Sequence, residues 1–250
     1  DRKIMVKPYG RTIRQKVGKI LENPDREIAL EQLARIPDNQ LTGHLFSHFY
    51  ARKDLIKFRS VTAMGFVGKR LAQTHMESAR NLMRRLMWNL NDESGGIGWG
   101  SAEAMGEVLS HSRNLAAEFD SILFSFVDQN ANYIDNPLLQ QGILWGIKTY
   151  VTAAPDRLTP DRAGLLVPFL DCEDPVKRGY AVRALRNAGS LDTDALFRPL
   201  SADHTEIAIY NQWHFEPARI CDLVRADAEK TAWSQAAAEK KDVSHGSQKM

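Results

Sequence analysis

The feature that most restricts how this chain can fold is a pattern that returns about every 40 residues. Segments 56–65 (IKFRSVTAMG), 97–106 (IGWGSAEAMG), 137–146 (PLLQQGILWG) and 177–186 (KRGYAVRALR) align without gaps, and their last positions are 41, 40 and 40 residues apart. A large apolar residue holds the penultimate position of every copy: Met64, Met105, Trp145 and Leu185. Glycine closes three of the copies, and small residues at helical spacing let two helices approach closely. Between copies the apolar period predicts a second helix, in turn over 76–90, 115–128, 161–170 and 193–200. A helical hairpin of this kind has an apolar face that it cannot bury alone, so stacking in a row is the stable solution.

Before the repeats, Thr12 to Leu21 reads as a short helix with Ile13, Val17, Ile20 and Leu21 on one face. Asn23-Pro24-Asp25 then opens a second helix, with Ile28, Leu30, Leu33 and Ala34 expected inward. A third, over about 40–50, carries Leu41, Leu45, Phe46 and Phe49. After Leu200 the period becomes two: Glu206-Ile207-Ala208-Ile209-Tyr210 alternates, Asn211-Gln212 is the expected turn, and Trp213-His214-Phe215-Glu216 returns as a second strand. A helix over 220–239 and a polar, disordered tail over 240–250 complete the reading. The expected organisation is a basic segment and capping helix (1–24), a repeat array (25–200), a hairpin-plus-helix cap over the last repeat's apolar face (201–239), and the tail.

The period, together with Asp-Pro-Val-Lys-Arg-Gly-Tyr-Ala-Val-Arg-Ala-Leu at 174–185, resembles the HEAT repeat. The resemblance is strongest to the short bacterial form named after phycobilisome (PBS) lyases. It implies a mostly α-helical, HEAT-like α-solenoid, an armadillo-like right-handed αα-superhelix, in which the second helix of each pair lines the concave face. The second and third copies depart from the pattern, because Gly98 and Leu138 stand where an arginine is usual near the start of the repeat. Repeats of this kind serve many roles, so the resemblance speaks to architecture and not to activity.

Charge is unevenly spread although the net value is only +2. Residues 51–85 are rich in arginine and lysine, whereas 91–135 carry eight acids against Arg113. Neighbouring layers that neutralise one another through surface pairs are the favoured explanation. No apolar run reaches the roughly 20 residues that span a bilayer, no secretory signal is present, and Cys172 and Cys221 lack a metal or redox spacing. The expected location is the cytoplasm.

Two stretches invite a functional reading. On the 76–90 helix, Arg80, Arg84 and Trp88 lie four apart and form a stripe separate from the apolar face. Beside it the loop holding Asn91, Asp92, Glu93, Gly95 and Gly96 leads to Trp99. Its glycines could cradle an anion at a helix start, but the spacing is neither a dinucleotide fingerprint nor a P-loop. The polar loop with Asn132 and Tyr133 falls at the same point of the next repeat, so both loops are expected at one rim. His44 and His48 share a helix face without the neighbouring glutamate of a zinc motif. No nucleophile elbow or paired-carboxylate pattern stands out.

These features lead to a non-enzymatic scaffold that binds a protein or peptide partner in its concave groove, with no metal or cofactor. Arg80, Arg84, Trp88, Asn91, Asp92, Glu93, Gly95, Gly96, Trp99, Asn132 and Tyr133 are the candidate contacts. One alternative is nucleic-acid binding in the manner of HEAT-like DNA-alkylation-repair glycosylases. Another is a lyase or chaperone for a chromophore or cofactor, which would need a pocket joining Trp99, Tyr133 and Trp145. The oligomeric state is left open.

Overall fold

The computed structural model describes residues 10–90, 98–188 and 193–225. Three helices open it: α1 (Gly10–Leu21), α2 (Arg26–Ala34) and α3 (Asp38–His48). Helix pairs follow, α4 (Asp54–Thr74) with α5 (Met76–Leu90) and α6 (Ser101–His111) with α7 (Arg113–Ser125). Next come α8 (Pro137–Ala153) with the short α9 (Pro160–Gly164), and α10 (Pro175–Leu185) with the short α11 (Thr193–Phe197). Strands β1 (Glu206–Asn211) and β2 (His214–Arg219) form an antiparallel pair that leads into α12 (Ile220–Arg225). No helix among the described residues is long and apolar enough to cross a membrane.

Local chemistry explains where the helices begin. Asn136 precedes Pro137, and its carboxamide oxygen accepts from the amides of Leu138 and Leu139, both at 3.1 Å. Asp174 precedes Pro175 and accepts from Val176 at 2.9 Å and Lys177 at 3.3 Å. In both, a side-chain oxygen satisfies amides that the helix cannot, and proline fills a position whose N–H would be unpaired. Two expected second helices are cut short. Pro168 and Pro199 fall in 3₁₀ turns, Val167–Asp171 and Arg198–Ala202, because proline removes the donor that an α-helix needs. The expected inward face of α2 is also rotated. Ile28 and Ala34 are exposed, and Ala29, Leu30 and Leu33 are buried in their place. Ile36, just beyond the helix end, supplies the apolar contact assigned to Ala34.

The first helices of successive pairs stack in order, α4 on α6, α6 on α8 and α8 on α10. Glycine sets their separation. A Cβ at Gly106 would collide with the backbone of Gly146, and one at Gly68 would come within 2.6 Å of Val108. All ten residues Ser101 to Ser110 of α6 are buried, so this helix is enclosed on every side. Met64, Met105, Trp145 and Leu185, aligned by the repeat, are all core residues.

The hairpin does more than close the last repeat, contrary to the sequence expectation. Ile207 sits against Gly179 of α10, and Tyr210 stacks on Phe58 of α4 with centroids 5.0 Å apart. The turn reaches the first helices of the chain, where the Trp213 indole N–H donates to Asn23 O at 2.8 Å. Arg59 of α4, itself buried, donates from Nε to Trp213 O and from Nη1 to Leu21 O, both at 2.8 Å. One guanidinium thus ties both ends of the described chain to the stack. The turn lies one residue later than expected, at Gln212 and Trp213 with φ of 42° and 89°. A two-residue hairpin loop of the type I′ kind has positive φ at both central positions. Burial of the Trp213 ring and its two backbone-directed bonds hold a conformation that non-glycine residues disfavour. Only the first turn of the expected 220–239 helix, together with the adjoining residues to Arg225, lies among the described residues.

A second clasp joins α7, α8 and the α9 segment. The Asp120 carboxylate, almost fully buried, accepts from Tyr150 Oη, Arg157 Nε and both terminal nitrogens of Arg162, each at 2.9 Å. Burial pushes the Asp120 pKa up, but the bonds from Arg162, Arg157 and Tyr150 outweigh it, and the net shift is downward.

Two outcomes follow for stability. Gly106→Ala should destabilise the fold by about 3 kcal/mol, the upper end for overpacking, because its Cβ meets backbone and not a movable side chain; urea denaturation measures this. Asp120 contributes stability above its ordinary value of 3.8, and this is lost as pH falls through the lower folded value. Asp120→Asn should therefore weaken the protein at neutral pH and remove that part of the acid dependence, as read from denaturation midpoints across a pH series.

Candidate functional site

The repeat places equivalent residues at one edge of the stack, and there the N-terminal turns of four first helices border a cleft of about 380 Å³. Helix α4 contributes Asp54, Lys57 and Phe58, and α6 contributes Glu103 with Trp99 just ahead of it. Leu138, Gln141 and Gly142 come from α8, Val176 and Tyr180 from α10, and Ala208 and Phe215 of the hairpin form the remaining wall. The volume lies within the range of small-ligand and anchor-residue pockets.

An ion pair crosses between repeats on this wall. Lys57 Nζ lies 3.2 Å from Glu103 Oε1, with side-chain exposures of 16% and 4%. Glycine makes room for the carboxylate, since a Cβ at Gly142 would come within 2.5 Å of Glu103 Cδ. The Lys57 ammonium also stands 5.0 Å from the Phe58 ring centroid and 5.5 Å from that of Trp99. Tyr180 is buried behind these groups and its hydroxyl meets the backbone of Tyr210; burial raises its pKa to about 12, so it stays neutral. Gln141 donates to Asp174 Oδ2 at 2.8 Å, which fixes the side chain at the far end.

Among the described residues, Trp99 is the one member of the sequence-derived set that lines this cleft. Asn91, Asp92, Glu93, Gly95 and Gly96 lie outside the described residues. Arg80 and Arg84 are engaged by acids. Arg80 forms a two-pronged pair with Glu118, Nε to Oε2 and Nη2 to Oε1, both at 2.8 Å. Arg84 donates to Glu77 Oε1 at 2.6 Å and Asn81 Oδ1 at 2.7 Å. These bonds hold Glu77 and Glu118 below the usual carboxylate range and raise Arg80 above its own. Trp88, by contrast, is 74% exposed. The end of α5 is nevertheless at the edge that holds the cleft, because the Asn89 carbonyl would lie 2.6 Å from a Cβ on Gly98.

Asn132 and Tyr133 sit on the neighbouring loop. Asn132 donates to Ser125 Oγ at 3.1 Å, and Tyr133 Oη accepts from Gln140 Nε2 at 2.9 Å. Tyr133 lines a separate cavity of about 370 Å³, with Gln140 and Lys177. Trp145 is in the core against Phe58 and Tyr210. Trp99, Tyr133 and Trp145 therefore do not share a pocket, which corrects the arrangement needed for the chromophore or cofactor reading. His48 is half-buried, its Nδ1 close to His44 O, and no group of three metal-binding side chains occurs among the described residues.

Sequence reasoning missed Lys57, Glu103 and Phe215. Glu103 left a trace: it is a lone carboxylate within Ser-Ala-Glu-Ala-Met-Gly, a run otherwise suited to a helix with no exposed face. A charge placed there must have a partner, and the preceding copy carries Lys57 five positions before Thr62, the residue that aligns with Glu103.

No family model matches the chain, and no curated protein matches it. Solved structures are similar in part. One is an engineered protein from a structural genomics consortium, 16% identical, with a TM-score of 0.41 over 75% of this chain and 84% of that one. Another is a set of computationally designed armadillo repeat proteins for modular peptide recognition, 14% identical, with a TM-score of 0.43 over 84% and 96% of the two chains. Both scores are low, and the repeat architecture described above rests on the helix contacts of this chain.

The ion pair can be tested by itself. Lys57→Met leaves Glu103 buried without its cation and should cost about 3 kcal/mol. Lys57→Met with Glu103→Leu should cost clearly less than the sum of the two single changes in a double-mutant cycle.

Proposed function

We propose that the protein is a non-enzymatic interaction scaffold, built as a HEAT-like right-handed solenoid, that binds an extended segment of a protein partner at the edge formed by the N-terminal turns of α4, α6, α8 and α10. The observation that carries this reading is the cleft itself. The first helices of four successive pairs contribute to it, so a segment laid along the stack meets Phe58, Trp99, Leu138 and Val176 in turn. Leu138 is 53% exposed although it is large and apolar, and it stands at the mouth. Interface anchors are typically aromatic and aliphatic groups filling such pockets.

Of the sequence-derived contacts, Trp99 forms the wall and Trp88 a projecting neighbour at the same edge. The guanidinium groups of Arg80 and Arg84 are already satisfied by Glu118 and Glu77, so they serve here to hold the ridge. Tyr133 lines the separate cavity instead, with Asn132 next to it in the chain. The cleft carries Asp54 and Glu103 against Lys57, a balance that disfavours a phosphate backbone and with it the nucleic-acid alternative.

Affinity capture from the source cell, with wild-type and variant baits run in parallel, tests the proposal. Leu138→Asp and Trp99→Ala should lose a partner that the wild-type bait retains, with thermal stability unchanged for Leu138→Asp. Retention of the partner by both variants would remove the cleft from the interface, and loss with Trp88→Ala alone would move the interface to the α5 ridge.

A further inference from the structure

We infer that the cavity of about 370 Å³ lined by Tyr133, Gln140 and Lys177 binds a free α-amino acid with an apolar side chain. It shares no lining residue with the cleft and is a second site. The buried side chain of Gln140 organises it. Its carboxamide can face only one way. Nε2 donates to Ile134 O and Oε1 accepts from the Lys177 ammonium, both at 3.0 Å; a carbonyl cannot donate and an ammonium cannot accept. The other Nε2 hydrogen goes to Tyr133 Oη at 2.9 Å, which leaves the phenol its own hydrogen to donate. Among the described residues, Lys177 Nζ has no further hydrogen bond and no carboxylate at ion-pair distance. Two donors, one of them charged, are thus tethered to the two ends of one carboxamide. Their complement is a carboxylate, which offers two acceptor oxygens and a negative charge.

The other charged residue of the lining is Asp128. Its Oδ1 accepts from the Asn130 amide at 2.9 Å, and among the described residues its Oδ2 has no partner. A cation and an anion therefore border one cavity without pairing to each other. The neighbouring charges decide against a simple anion. Asp171 and Glu173, on the turn before α10, are exposed and add negative potential, while Arg178 is taken up by Asp203. A zwitterion meets this balance, because its ammonium answers Asp128 and the acids near it. Leu165, Pro168 and Phe169 supply apolar wall for the side chain, and the volume lies at the small end of the range for ligand pockets.

The cavity contains its own reporter. Cys172 lines it and is half-buried, whereas Cys221, the second of the two cysteines, is buried. The rate at which a thiol reagent labels Cys172 in the full chain, located by peptide mapping, therefore reads occupancy. It is taken as a ratio with and without ligand, so that differences in basal reactivity cancel. L-Leucine should slow labelling saturably at millimolar concentration. Leucinamide lacks the carboxylate and isocaproate lacks the ammonium, and each should need about tenfold more, the scale of one charge-assisted contact. Glycine, with no apolar side chain, should not protect at the same concentration.

Two variants localise the effect. Asp128→Asn keeps an acceptor for the Asn130 amide and should erase the preference for leucine over isocaproate. Tyr133→Phe keeps the ring and should weaken leucine by about tenfold. The inference is overturned by equal protection from leucine and either analogue, by protection from glycine, by wild-type behaviour of both variants, or by no protection from leucine. None of these outcomes bears on the reading of the cleft.

Discussion

The near-contact of α6 with α8 at Gly106 and Gly146 is the constraint on which the rest of the structure depends. With no side chain between the two helices, α6 becomes a fully enclosed element, and its neighbours must cover it from every direction. Gly65 and Gly68 bring α4 equally close on the other flank, against Glu107 and Val108. Such a stack has little room for polar chemistry, so the charges it does enclose are paired. Thr62 donates to Glu107 at 3.0 Å, and Lys57 pairs with Glu103. Each buried carboxylate thereby links one repeat to the next, which fixes the register of the helices more than it adds net stability.

The hairpin is the second consequence. A repeat array exposes the apolar surface of its terminal units, and short caps usually cover it. Here the covering element runs back across α10 and α4 to the loop after α1, where Arg59 receives it. Contacts between residues near 23, 59 and 213 give the array a closure that neighbour-to-neighbour stacking lacks. Removal of the hairpin would therefore loosen the first helices as well as the last, unlike the loss of a simple end cap.

Much of this was legible in the sequence because it depends on local chemistry. The forty-residue period located α4, α6, α8 and α10, two of which begin at the capped prolines Pro137 and Pro175. The Met64, Met105, Trp145 and Leu185 register identified the core face correctly. What failed was long-range. The inward face of α2 depends on how Ile36 returns to the core, and the path of the hairpin depends on an acceptor at Asn23, some 190 residues away in the chain. The pairing of Arg80 with Glu118, by contrast, agrees with the favoured expectation that the basic and acidic runs of neighbouring segments neutralise each other. The cleft was the hardest feature to foresee, because its residues come from four repeats and a hairpin spread over more than 150 positions of the chain.

That dispersion has a physical logic. Residues in the middle of the stacked helices answer to the spacing that glycine sets, so substitution there is limited by volume. Their N-terminal turns are less limited, apart from Gly98 and Gly142, where a Cβ would collide with Asn89 O and Glu103. At one repeat position the four copies hold Lys57, Gly98, Leu138 and Arg178, a cation within an aromatic frame, no side chain, an exposed aliphatic group, and a cation tied to Asp203 at 2.8 Å. Equivalent positions of the repeat thus carry unlike side chains on neighbouring helices. The repeats of this chain are alike in backbone and unlike in side chain at the edge that holds the cleft. The close helix packing set by glycine constrains the middle of the stack and leaves its edge freer to vary.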